Sequence, residues 1–116
     1  MPFRIESIGE ADIEFLGLPP AVRETFIAAF RELAASDSPV VFASGWHTEE
    51  LRQNQRVAPE GLYSLHVGEL WRGVFFRRRS SLVFIGFGFR LPDFYTKLRR
   101  LRRVVAGSLP SERETR

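Results

Sequence analysis

The chain has no cysteine in 116 residues, which excludes a disulfide framework and any zinc or iron–sulfur site built on thiolates. Lysine is almost as scarce: Lys97 stands alone among 17 basic side chains, and the rest are arginine. No stretch approaches the ~18 uninterrupted apolar residues of a membrane span. The opening Met1-Pro2-Phe3-Arg4-Ile5-Glu6 carries no long apolar core of a signal peptide. The expectation from these absences is a cytoplasmic domain with no membrane partner. No convincing metal-ligand cluster is present, and neither a metal nor another cofactor is expected.

A further scarcity is local. Between residues 70 and 103 the only acid is Asp93, against ten basic side chains, a balance of +9. Residues 1–69 hold eleven acids and five bases, a balance of −6, and the stretch from Val104 onward is neutral. Positive charge gathered into one third of a chain points to a polyanion, by steering and by phosphate neutralisation. Arginine suits this because its planar fork matches phosphate oxygens. A basic face that is merely solvated is the competing reading.

What is present is enough for one core: 44% of the residues are hydrophobic. Residues 1–106 read as one domain and 107–116 as a polar, disordered tail. Phe3 to Ile8 alternates apolar and polar as a short half-buried strand does. Glu10 to Leu16 reads as a short helix ended by Gly17. Leu18-Pro19-Pro20 opens a second helix, since proline is tolerated in a first turn where the N–H lacks a partner anyway. Val22, Phe26, Ile27, Phe30 and Leu33 form its apolar stripe. Pro39 to Phe42 suits a short strand, Thr48 to Arg52 a helical turn capped by Thr48, and Gln53 to Gly61 a loop.

From Gly61 the period changes. Leu62–Val67, Leu70–Phe76 and Ser81–Phe89 are rich in aromatic and β-branched residues and are separated by Gly68-Glu69 and by Arg77-Arg78-Arg79-Ser80. They predict an antiparallel meander. A last helix follows, with Phe94, Leu98, Leu101 and Val105 on one stripe. The fold class is α+β, with helices packed on one face of the sheet.

This order, with several local phrases, resembles the RelE/ParE family of toxins from type II toxin–antitoxin systems. Ala11 to Leu33, centred on Leu18-Pro19-Pro20-Ala21-Val22-Arg23-Glu24, looks like the family's helical hairpin. Gly61 to Gly68 is similar to the strand that often carries a basic residue before the turn. Trp71-Arg72-Gly73-Val74-Phe75-Phe76 resembles its aromatic–arginine–apolar strand, and Phe84 to Arg90, then Tyr95, its closing strand, arginine and terminal aromatic. The resemblance spans roughly residues 3–101. It implies a RelE-like fold, in which a short strand and two helices pack on the meander and a C-terminal helix follows, and it implies a cognate antitoxin protein as partner.

RelE-type members cut messenger RNA in the decoding site of the small ribosomal subunit. That chemistry needs a base near the 2′-oxygen, cations around the phosphorane and an acid for the leaving 5′-oxygen. By resemblance, Arg72 and Arg90 would clamp the scissile phosphate. Tyr95 would stack on a base or join the proton transfer, unless it is a core residue of the last helix. His66 stands where many members carry a cation, and imidazole can serve as base or acid, although a strand histidine can also be structural. Arg77, Arg78, Arg79, Lys97, Arg99 and Arg100 are the candidate nucleic-acid contacts. The lysines of the best-known nucleases are missing, so His66 and the arginine turn would have to compensate. Two other readings stay open: a ParE-like DNA gyrase inhibitor without nuclease activity, and a non-toxic basic RNA-binding domain.

Overall fold

Strand β1 (Arg4–Ser7) is the first element of a computed structural model that describes residues 2–52, 58, 60–89 and 98–106. Helix α1 (Gly9–Leu16) follows, with Glu10 and Asp12 in its first turn, where the helix dipole favours carboxylates. The Ser7 hydroxyl bonds the Asp12 carboxylate across this junction. Helix α2 (Pro20–Ala35) starts on its proline as expected. The Arg23 guanidinium donates to the carbonyls of Leu16 and Leu18 at 2.8 and 2.9 Å, fixing the corner between the two helices. Phe26, Ala29 and Leu33 are the buried stripe of α2. Ile27, expected on that stripe, is exposed because it lies about 100° round the helix from Phe26.

The meander comprises β4 (Leu62–Val67), β5 (Trp71–Arg78) and β6 (Ser81–Phe89). β2 (Phe42–Ala43) and β3 (Trp46–Glu50) extend it on one side and β1 on the other, giving a six-stranded sheet of order β1-β6-β5-β4-β3-β2. The helical turn expected over Thr48 to Arg52 is thus corrected to a strand. Thr48 is not an N-cap: its buried hydroxyl donates to the Pro39 carbonyl at 2.6 Å and accepts from the Val41 N–H at 2.8 Å. Five residue pairs with β4 outweigh the helix-like composition of Trp-His-Thr-Glu-Glu. β1 joins β6 in parallel, which makes the sheet mixed, while the meander itself is antiparallel. Arg77 and Arg78, expected in a turn, belong to β5. The turn is Arg79-Ser80, with Arg79 at a positive φ of 57°.

Side-chain alternation divides the core in two. Tyr63, Leu65, Phe75, Leu82, Phe84 and Phe87 meet Phe26, Ala29 and Leu33 beneath α1 and α2. Leu62, Val74, Phe76, Val83 and Ile85 face the other way and meet Leu101 of a helix over residues 98–106. That last helix therefore covers the face opposite α1 and α2, where the sequence reading placed all helices together. A register shift between Val74 and Phe75 opposes Val74 to Gly86 and Phe75 to Phe84. This bulge lets Phe84 and Phe87 both point at α2 and sends Gly86 and Gly88 to the other face. Phe94 and residues 107–116 lie outside the described residues.

Candidate functional site

Four residues stand directly opposite one another across four strands: His47 on β3, His66 on β4, Arg72 on β5 and Gly88 on β6. Partnered residues in a sheet share a face, so the two histidines and the arginine project together. They occupy the face of the last helix, beyond the portion that Leu101 covers. Gly88 contributes no side chain to the row. The face is positioned by its reverse side, where Val67 and Leu65 anchor β4 in the main core and Trp71 stacks on Phe89 at 4.3 Å.

The histidine rings lie 4.5 Å apart, and Nε2 of His66 is 3.2 Å from Oε1 of Glu49, the next residue of β3 on that face. With its proton on Nε2, toward the Glu49 carboxylate, the neutral ring would keep Nδ1 as its acceptor. Burial, the Arg72 guanidinium and His47 each oppose protonation of His66, and Glu49 favours it less strongly, so its pKa falls to about 4. His66 is neutral at physiological pH. Arg72 donates from Nη1 to the carbonyl of Trp71 at 3.0 Å, which orients its fork at the end of the sheet.

The other expected contacts do not all join this row. Arg77, Arg78 and Arg79 lie at the far end of β5, ~20 Å from Arg72 at the rise of an extended strand. Arg77 covers the Phe3 ring, Arg78 the Phe76 ring, and the Arg79 N–H is held by Glu60 at 2.6 Å. Arg100 turns inward: it donates to Glu14 at 2.9 Å and to the Ile85 carbonyl at 2.8 Å, with Glu10 at 3.3 Å. Its guanidinium holds the last helix on α1 and β6 and is spoken for by protein groups. Arg99 lies on the exposed side of the same helix. Arg90, Tyr95 and Lys97 fall outside the described residues. Among the described residues no group of three or more His, Asp or Glu is arranged to hold a metal ion.

His47 and Glu49 carried no role in the sequence reading. The one sequence signal was Ser44-Gly45, which forms a two-residue hairpin turn with Gly45 at φ 89°. Read as a strand, the run after it places His47 and Glu49 on one face.

No protein-family profile and no curated protein sequence matches the chain. Solved structures do. The archaeal RelE–RelB complex from Pyrococcus horikoshii OT3 superposes with a TM-score of 0.60 at 16% identity, over 79% of this chain and 99% of that one. A double arginine-to-alanine mutant of the E. coli toxin RelE in the free state gives 0.54 at 16% identity, over 86% of this chain and 97% of that one. The fold is RelE-like.

Proposed function

We propose that this protein is the toxin of a type II toxin–antitoxin system and acts as a ribosome-dependent messenger-RNA endonuclease. The observation that carries the reading is the neutral His66 set directly opposite Arg72 on a RelE-like sheet. In the reaction, Nδ1 of His66 takes the proton of a ribose 2′-hydroxyl. The 2′-oxygen then attacks the adjacent phosphorus, the bond to the 5′-oxygen breaks, and a cyclic phosphate and a 5′-hydroxyl result. Glu49 keeps the imidazole in the required tautomer and stabilises the imidazolium that forms. Arg72 offsets the charge that builds on the phosphorane oxygens, where a guanidinium stays charged throughout. Arg90 and Tyr95, by resemblance, supply a second phosphate contact and either the proton for the 5′-oxygen or a stacking surface. The partner is a cognate antitoxin, in keeping with the archaeal neighbour's description as a RelE–RelB complex.

The test is a brief induction of the protein in growing bacteria, with 5′ ends mapped on translated messages. Cuts within codons that depend on translation, and that vanish in His66→Ala and Arg72→Ala, are the expected result. Growth arrest with intact messages and a DNA-damage response would reassign the protein to gyrase inhibition. Harmless expression at high level would leave a basic RNA-binding domain.

A further inference from the structure

The row of His47, His66 and Arg72 continues one strand outward. Phe42 of β2 stands directly opposite His47, and their rings lie parallel, 5.5 Å apart and 11° from coplanar. Phe42 is 81% exposed. One face of the ring rests on His47 and the other meets solvent. A large apolar ring at the edge of a sheet runs against the usual protection of edges by charge or proline, and burying it would add to the core rather than cost it. A cleft of about 390 Å³, lined by Val40, Phe42, His47, Glu49 and Arg52 among others, opens at this edge. From Phe42 to Arg72 is three strand spacings, ~14 Å. An aromatic surface and an arginine that far apart, on one face of the sheet, match the two things a single-stranded nucleic acid offers: a base to stack and a phosphate to neutralise.

We infer that Phe42 and His47 form a stacking shelf for one base of the RNA strand whose backbone crosses His66 and Arg72. This rests on the nuclease reading and adds to it a base-holding subsite on the β2–β3 hairpin. The shelf positions the strand; it takes no part in bond making. Stacking is tolerant of base identity, so the shelf reads the presence of a base rather than its edge.

The experiment measures binding of the full chain to a fluorescent single-stranded RNA in which every nucleotide is 2′-O-methylated, so that no 2′-hydroxyl can attack. A single abasic nucleotide is walked along it. Phe42→Ala is expected to weaken binding on the order of tenfold. One abasic position should weaken the wild type to a similar degree and cost Phe42→Ala nothing further. Phe42→Trp should restore binding, with its indole fluorescence quenched by the stacked base. The ring's exposure makes both substitutions neutral for folding, which matching circular dichroism and melting would verify. Wild-type affinity in Phe42→Ala, or losses that add at every abasic position, overturns the shelf and leaves the nuclease standing. If Phe42→Ala keeps its RNA affinity but no longer copurifies with a partner protein, the ring belongs to a protein interface and the shelf is again overturned. Failure of the wild type to bind any such strand overturns the shelf, while the nuclease reading stands or falls by the translation-dependent cuts.

Discussion

At His66 three neighbours push one way. Burial, Arg72 and His47 hold the imidazole neutral down to about pH 4, with Glu49 pulling against them. An unfolded imidazole takes its proton near 6.5, so between those values the unfolded chain binds more protons than the folded one. Stability from this group is therefore whole above about pH 6.5 and falls as the pH drops toward 4, by at most about 3 kcal/mol. Urea titrations of wild type and His66→Gln at pH 7 and pH 4.5 check this, and the variant should lose less on acidification. In Arg72→Ala, NMR titration should find the His66 pKa raised toward its ordinary value. Bound RNA should raise it too, because the phosphate charge offsets Arg72. Thr48 gives a second prediction. Thr48→Val keeps the volume but strips the Val41 N–H and the Pro39 carbonyl of their buried partner. A loss of about 2 kcal/mol in denaturant unfolding is expected.

Among the elements, the last helix depends on more than its apolar stripe. Arg100 is bound by Glu14 and Glu10, Arg103 by Glu10, and Oε1 of Glu14 also accepts the Phe87 N–H at 3.0 Å. Arg100→Met leaves two carboxylates and the Ile85 carbonyl short of a donor. It should lower stability by about 3 kcal/mol in denaturant unfolding; its neighbour Arg99 lies on the exposed side of the helix. The sequence could not separate these two arginines, because neighbours on a basic helix look alike until the partner of each face is known. Strands β4 to β6 were legible from their aromatic and β-branched runs, and α2 from its proline start and 3.6-residue period. β3 was hidden by its composition, since only pairing with β4 makes a strand of His47, Thr48, Glu49 and Glu50. The candidate site was legible only through strands β4 to β6. His66 and Arg72 were named through the family resemblance of the strands that carry them, while their row with His47 and Phe42 emerges only from the register.

For the whole molecule, charge that is segregated along the chain is partly reunited in space. The basic last third folds Arg100 and Arg103 onto acids of α1, so part of the local excess of +9 is neutralised internally. Among the described residues, the rest of the excess includes Arg72 at one end of the sheet, Arg77 to Arg79 at the other, and Arg99 and Arg102 on the exposed side of the last helix. If the Arg77–Arg79 end meets only the backbone of a longer RNA, Arg78→Ala should weaken binding of any sequence and reduce the slope of log affinity against log salt by about 0.7. Arg72→Ala should lower the cleavage rate of RNA already bound. Binding isotherms at several salt concentrations, set beside single-turnover cleavage, separate the two.

The parallel pairing of β1 with β6 sets a timetable. Arg4 finds its partner in Ser81, and the last helix closes the second core later still. Contacts this far apart in sequence make folding slow and late. At 5–20 residues per second, synthesis as far as Phe89 takes on the order of 5–20 s. Until then β1 has no partner strand and β5 has an unpaired edge, so a chain cut short before β6 is open to proteases. Each round of synthesis therefore includes an interval in which the nascent chain has neither of its two cores complete.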